Sequence, residues 1–345
     1  MAGSLMKIQL EKLMAFAFVS MVVVFLIAYN LNKPRVFILH SYDTDYSWVT
    51  DINEGFARVL KNKAYNTRYF YMNTKRNPGV EYKQRTGETV VKMIRDWNPD
   101  ILIAVDDDAQ KFAARHFIDD PKIKIIYTGV NAFPEDYGFD KAKNATGILE
   151  RLPFEAFKEV FVQILPPNRR KVMHIADSSS TSVFIQHEVE AYDWGPMVLT
   201  ETILCDTMED WDRAIDRANR EADVLFVTHY HTLKDDKGIV IEPRKVIERM
   251  EPRLKIPAIG SWGFYVEDGG MMAVAVSPYE QGEEAARMAV RVIEEKIAPR
   301  EIPVQTSHLF VIYIREESIR RRNLQVPGLI EAFARATNNY FEEVH

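Results

Sequence analysis

The sequence predicts an α/β protein made of two doubly wound lobes joined by a hinge, preceded by one N-terminal transmembrane helix. Three observations predict it. A charge-free apolar run opens the chain, short β-branched runs alternate with amphipathic segments from residue 34 onward, and polar and aromatic residues recur just after the strand candidates.

The opening run, residues 13–29, reads LMAFAFVSMVVVFLIAY and follows Lys7 and Lys12, the layout of a secretory signal or a signal anchor. At about 1.5 Å per residue it is roughly 25 Å long, slightly short of a bilayer core of about 30 Å unless flanking residues extend it. The YNLNKP that follows offers neither a small-x-small cleavage site nor a cysteine for lipid attachment, which favours an uncleaved anchor over a removed signal. A run so apolar on every face favours a membrane span over a buried core helix. Lys33 and Arg35 on the far side leave the positive-inside rule without a clear orientation. With no second run of similar length, everything after about residue 33 is expected on one side: a single-pass inner-membrane protein with its soluble part in the periplasm or outside the cell.

That soluble part has the composition of a folded chain, with 345 residues overall, 47% hydrophobic and 27% charged. A net charge of −6 argues against a nucleic-acid partner, which requires clustered cations that release counterions. The basic run Arg320, Arg321 and Arg322 reads as a solvated helix end. Cys205 is the single cysteine, so an intrachain disulfide and a cysteine-based zinc site are excluded, and the apolar ETILC around it reads as a buried thiol.

Strand candidates lie at 35–40, 67–72, 101–105, 124–130, 171–176, 197–204, 224–230 and 256–262. Helix candidates lie at 49–61, 79–97, 109–117, 153–164, 181–191, 207–220 and 241–252. Several strands are continuous apolar runs, as parallel strands covered by helices on both faces require. The ERLPFEAF stretch near residue 150 interrupts the series, and LPPNRRKVMHIAD restarts it. The expected division is an anchor over 1–33, a first lobe over 34–150 completed by about 276–300, a second lobe over 151–275 completed by about 301–325, and a helical tail over 326–345. The amphipathic segment 279–297 is expected to cross back to the first lobe.

In open parallel sheets ligands bind beyond the carboxyl ends of the strands, so the residues that follow each strand matter. After the first come His40, Ser41, Tyr42, Asp43, Tyr46 and Trp48; after the third, Asp106, Asp107 and Asp108; around the fourth, Thr128, Gly129, Val130 and Asn131. The second lobe offers Asp177 with Ser178, Ser179 and Ser180, then His229, Tyr230 and His231, then Ser261, Trp262 and Gly263. Asp108, Ser178 and Ser179 read equally well as helix caps. Tyr42, Tyr46, Trp48, Tyr230 and Trp262 are poor caps and good walls for a small molecule. Within the opening VFILHSYDTDYSW, Ser47 is expected to cap a helix starting near Val49. An enzyme reading uses Asp106, Asp108, His229 and His231 around a metal, but HYHTLKD lacks a further ligand cluster. The sequence has no GxGxxG, no GxxxxGK[ST] and no GxSxG.

Three segments carry a resemblance: VFILHSYDTDYSWVTDINEGF, TGVNAFPEDYGF followed by NATGILER, and IPAIGSWGFYVEDGGMMAVAVSPYEQGEEAARMAVRVIEEKIAPREIPV. Together, over about residues 35–325, the chain resembles the ABC-transporter substrate-binding protein family, whose members look like type I periplasmic binding proteins. The resemblance implies two Rossmann-like lobes that close over a small polar or aromatic metabolite, amino-acid-like, without a reaction. No catalytic residue, metal or cofactor is then expected, and the partner is an ABC-transporter permease or a membrane receptor. The implied pocket wall is Ser41, Tyr42 and Trp48, with Asp107, Asp108, Thr128 and Asn131, facing Ser178, Ser179, His229, Tyr230, Ser261 and Trp262. The chain departs from a typical secreted member in its uncleaved-looking anchor and in its aromatics and histidines where simpler members have small residues.

Overall fold

In the computed structural model, which describes residues 2–342, the chain builds two sheets, one of six strands and one of seven. The first half supplies β1 (Arg35–His40), β2 (Asn66–Tyr71), β3 (Ile101–Val105), β4 (Lys124–Val130) and β5 (Ala145–Leu149). The second half supplies β6 (Lys171–Asp177), β7 (Val198–Cys205), β8 (Val224–Val227), β9 (Ala258–Gly260) and β10 (Met272–Val276). Three late strands follow: β11 (Gln305–Thr306), β12 (Phe310–Arg315) and β13 (Tyr340–Phe341).

Helices in chain order are α1 (Ala2–Leu31), α2 (Ser47–Leu60), α3 (Val80–Trp97), α4 (Asp106–Phe112), α5 (Pro134–Tyr137), α6 (Phe154–Ile164) and α7 (Ser180–Ala191). They continue with α8 (Met208–Glu221), α9 (Pro243–Met250), α10 (Gly263–Glu267), α11 (Pro278–Glu294), α12 (Glu316–Arg321) and α13 (Gly328–Ala336).

The sheet orders are β11-β5-β4-β3-β1-β2 and β13-β12-β10-β9-β8-β6-β7. Each starts a strand, adds the next on one side and then reverses, which is the doubly wound pattern. All pairings are parallel except that of β10 with β12. Strands β3, β8 and β10 are buried along their whole length. In β1 the alternation is between two cores rather than between core and water: Val36 and Ile38 join one apolar cluster, Phe37 and Leu39 the other.

The chain passes between the sheets at three places: from β5 into α6, from β10 into α11, and from β11 into β12. These crossings are laced together. The buried Glu280 carboxylate accepts the backbone N–H groups of His308 and Leu309, the latter at 3.1 Å. Ser277 N–H donates to the Leu309 carbonyl at 3.2 Å, and Ser307 N–H to the Leu149 carbonyl at 2.9 Å. Helix α11 returns to pack on α2 at a closeness only glycine permits. A Cβ at Gly282 would stand 2.2 Å from the Ile52 carbonyl oxygen, and one at Gly55 would stand 2.5 Å from that of Tyr279.

Helix α1 contains Lys12–Asn30, a stretch of mean hydropathy 2.3 that is unburied and long enough to cross a membrane by length and composition. Its small amphipathic asymmetry suits a lipid environment better than a protein surface.

Several local expectations need correcting. Helix α2 begins at Ser47 itself, with Tyr46 at the N-cap in extended backbone and no side-chain cap bond, and the Tyr46 ring lies against His231 of the second lobe. The segment 109–117 begins instead at Asp106 and breaks into α4 and a 3₁₀ turn over Ala114–Phe117. Arg322 is not solvated: its side chain is 4% exposed and pairs with the buried Glu251 at 2.6 Å, while Arg321 meets the same carboxylate at 2.9 Å. Cys205 is buried.

Candidate functional site

Both sheets reverse their order beside their first strand, leaving a crevice beyond its carboxyl end. In lobe 1 that point is closed by Ser41. Its N–H and hydroxyl both donate to the Val105 carbonyl, at 3.2 and 2.7 Å, and its oxygen accepts the Ala109 N–H at 2.8 Å. In lobe 2 the point is closed by Asp177, whose N–H donates to the His229 carbonyl at 2.7 Å. The Asp177 carboxylate accepts the Ser182 hydroxyl at 2.6 Å, the Ser179 N–H at 3.2 Å and the Thr232 N–H at 3.0 Å. Burial alone would raise its pKa, but the Lys75 ammonium and these donors hold it below the usual carboxylate range.

The lobe 1 rim is acidic. Asp106 sits at φ +63°, a left-handed conformation that a non-glycine residue pays to adopt, and it is buried. Its Oδ1 accepts the Trp48 indole N–H at 2.9 Å, whereas its buried Oδ2 has no hydrogen-bond partner. Burial, with the nearby Glu150, pushes its pKa well up. Gly129, at φ +64°, makes room: a Cβ there would meet Asp106 Oδ1 at 2.9 Å. Asp107 is satisfied locally by the Tyr137 hydroxyl at 2.7 Å and the Ala132 N–H at 3.1 Å. Asp108 pairs with Lys83 at 2.8 Å. From the β2–α3 loop Lys75 reaches over the Tyr42 ring, 4.8 Å from its centroid, and has no carboxylate within ion-pair distance among the described residues. Burial lowers its pKa against the pull of Asp177 and Asp106.

The lobe 2 rim is aromatic. The Trp262 indole N–H donates to Glu150 Oε1 at 2.6 Å, reaching across to the first crossing segment, while Asn131 Nδ2 holds the other carboxylate oxygen at 3.0 Å. Burial pushes the Glu150 carboxyl up to about 8. The His229 ring lies 4.2 Å from that of Trp262, and Phe264 stacks on Trp262 at 5.7 Å. Tyr46, from lobe 1, packs between His231 at 5.1 Å and Phe264 at 5.3 Å. The Nδ1 atoms of His229 and His231 are buried without partners. Burial first, and Lys75 second, keep both rings neutral, with His231 lowered to about 3.

Three cavities open between the lobes. One of about 600 Å³ is lined by Tyr42, Tyr46, Lys75, His231, Phe264 and Asp268 among others. A second of about 380 Å³ joins Tyr42, Lys75 and Asp108 to Ser178, Ser179 and Thr181. A third of about 230 Å³ is bounded by Asp107, Asp108, Tyr137 and Phe184.

Of the residues singled out in the sequence, Tyr42, Tyr46, Asp107, Asp108, Ser178 and Ser179 therefore stand on cavities. His229, Trp262 and Asn131 gather around Glu150 beside them. Others are turned to their own lobe. The Thr128 hydroxyl bonds Gln281 of α11 at 2.9 Å, and Ser261 bonds the Val227 carbonyl at 3.4 Å. The Tyr230 hydroxyl donates to Asp268 at 2.7 Å, and Trp48 and Ser41 are spent on Asp106 and the β3 end. Ser179 is the N-cap of α7 and accepts from the Ser182 N–H. Lys75, Glu150 and Phe264 join this wall although they are not among the residues singled out in the sequence. Lys75 was within reach of the strand-end pattern, because Asn73, Thr74 and Lys75 follow the second strand directly. Among the described residues no three His, Cys, Asp or Glu side chains converge as metal ligands.

Comparison with solved structures shows the fold. A conserved domain protein from Vibrio cholerae superposes with a TM-score of 0.65 at 17% identity, covering 88% of this chain and 98% of that one. The ABC domain of a Streptococcus pneumonia protein in complex with L-Trp gives 0.66 at 16% identity, with 88% and 98% covered. The ligand-free, open form of a substrate binding protein with adhesive properties from Clostridium difficile gives 0.65 at 16% identity, with 90% and 99% covered. No curated protein matches the chain. A family model described as ABC transporter substrate binding protein matches residues 44–338.

Proposed function

This chain belongs to the ABC transporter substrate binding protein family, and from that premise we propose that it is a membrane-anchored extracytoplasmic receptor for a small polar or aromatic, amino-acid-like solute. The observation that carries this reading is the set of unspent groups between the lobes. Among the described residues Lys75 has no carboxylate within ion-pair distance, Asp106 Oδ2 has no donor and the Nδ1 atoms of His229 and His231 have no partner, while Lys75 lies over the Tyr42 ring and His231 against Tyr46. Buried polar groups without partners are costly, so a solute that pairs them gains what the empty site forgoes. The complex of a same-fold protein with L-Trp supports an aromatic amino-acid-like solute.

The mechanism is differential affinity. Tyr42 and Lys75 belong to one lobe, His231 and Phe264 to the other, and a solute touching both binds the closed arrangement better than the open one. Helix α1 tethers the receptor to the inner membrane with the lobes in the periplasm, where a permease or a membrane receptor reads the closed form. No chemical step is required of the site.

The test is a thermal-shift screen of the full chain in detergent micelles against amino acids and related metabolites. A solute at about 100 times its Kd should stabilise the fold by about 2.7 kcal/mol. Absence of a shift from every compound, with the protein folded by circular dichroism, would contradict the reading.

A further inference from the structure

The cavity of about 380 Å³ differs from its neighbour in charge. Four lysines line it: Lys75, Lys83 and Lys111 from lobe 1 and Lys234 from lobe 2. Two carboxylates face them. Asp108 is neutralised by Lys83 at 2.8 Å, and Asp206 accepts the Ser178 hydroxyl. Lys75, Lys111 and Lys234 have no carboxylate within 4 Å among the described residues, and Lys75 feels the more distant pull of Asp177, Asp106 and Asp108. Four ammonium groups against two carboxylates leave the lining of this cavity with an excess of positive charge.

Two hydroxyls point the same way. Tyr42 is 7% exposed and Thr181 is 9% exposed, and both line this cavity. Neither side-chain oxygen has a hydrogen-bond partner among the described residues. Burial and the surrounding aspartates keep the Tyr42 phenol protonated, so it stands as a donor. The cavity also receives the first turn of α7, twelve residues long, whose backbone N–H groups favour negative charge.

We infer that this cavity is a subsite for an anionic group of the bound solute, carboxylate or phosphoryl, held by Lys75, Lys111 and Lys234 with the hydroxyls of Tyr42 and Thr181. The inference rests on the solute-receptor reading and narrows it. The solute is acidic, carrying this group in addition to the part held against Tyr46, His231 and Phe264. The anion draws ammonium groups from both lobes toward one point, so the same contact that selects the solute also pulls the lobes together. A neutral amino acid leaves the subsite without a counter-ion.

Isothermal titration of the full chain in detergent micelles, at constant ionic strength, tests it with three probes: succinate, inorganic phosphate and L-tryptophan. Succinate or phosphate should bind, the stronger of the two deciding between carboxylate and phosphoryl recognition. Lys75→Met should weaken that probe by at least about tenfold, the loss of one charge-assisted hydrogen bond, and Lys111→Met and Lys234→Met should each weaken it severalfold. Lys75→Arg should retain part of the affinity, which separates lost charge from lost fold. Binding of L-tryptophan with none of the two anions, or anion affinity unmoved by all three Met variants, would overturn the subsite and leave the receptor reading standing. Binding of none of the three probes would overturn the subsite, and the receptor reading would then be judged by the wider metabolite screen.

Discussion

Lobe 1 and lobe 2 close the carboxyl end of their first strand at the same topological point, with Ser41 just after β1 and Asp177 as the last residue of β6, and do so to opposite ends. In lobe 1, Ser41 seals the sheet edge with its hydroxyl, and a carboxyl group is left over next door: Asp106 is buried, with Oδ2 unpartnered among the described residues. In lobe 2 the charged residue does the sealing, since Asp177 takes three donors from its own lobe, and what is left over is neutral: the imidazoles of His229 and His231 and the rings of Trp262 and Phe264. One winding pattern thus yields an acidic rim and an aromatic rim. In the proposed receptor, a solute that contacts both rims favours the closed state.

The largest test of that difference is Trp262, the lobe 2 residue that reaches to Glu150. Trp262→Ala removes a buried ring and should cost roughly 3–5 kcal/mol in urea denaturation. Trp262→Phe keeps the ring but strips Glu150 of a donor and should cost about 1–3 kcal/mol. A Phe variant as stable as the unsubstituted chain would show that the cross-lobe bond adds nothing beyond packing.

Glu150 itself gives the next effect. Its folded pKa, about 8, lies above the ordinary carboxyl value, so the folded state favours the protonated form. The stability it contributes is present at pH below about 4.5 and is lost as pH rises toward 8. Glu150→Gln, which cannot ionise, should therefore raise stability at pH 8.5 by on the order of 2 kcal/mol and leave it nearly unchanged at pH 5. A gain that is the same at both pH values would contradict the assignment.

The lobe 2 imidazoles respond to pH in the other direction. His231 is held down to about 3, so the fold favours its neutral form, and that contribution is present above about pH 6.5 and is lost as pH falls toward 3. His231→Gln should lessen the loss of stability between pH 7 and pH 5.5 by about 1 kcal/mol, read from melting temperatures across the range. The smallest effect concerns a residue turned away from the cleft. Thr128→Val breaks the bond to Gln281 and should cost about 1 kcal/mol while solute affinity stays within about twofold.

The fold was legible where burial is two-sided. Strands β3 and β8 are unbroken apolar runs, a pattern that a parallel sheet between helix layers imposes. Strand β5 hides behind the glycine of ATGIL, and β10, MAVAV, is alanine-rich and lacks the β-branched density of its neighbours. Strand β12 follows an irregular crossing and pairs antiparallel, outside the repeating unit.

The site was legible in position more than in direction. Strand ends do converge on the cleft, which is why Tyr42, Tyr46 and Ser178 line cavities. Which way each side chain turns depends on backbone groups that need partners, and this is what spends Ser41, Ser261 and Thr128 inside their lobes. Glu150 lies on a crossing segment whose importance appears only once the lobes are assembled.

The central claim, that a solute joins the two rims, is tested most directly by the distance across the cleft. Spin labels at Glu81→Cys and Asp236→Cys sit on exposed positions of opposite lobes, and the buried Cys205 stays unlabelled. Double electron–electron resonance on the full chain, with the solute that gives the largest thermal shift, should show the distance distribution move to one shorter, narrower peak at saturation. An unchanged distribution with the solute demonstrably bound would contradict the account.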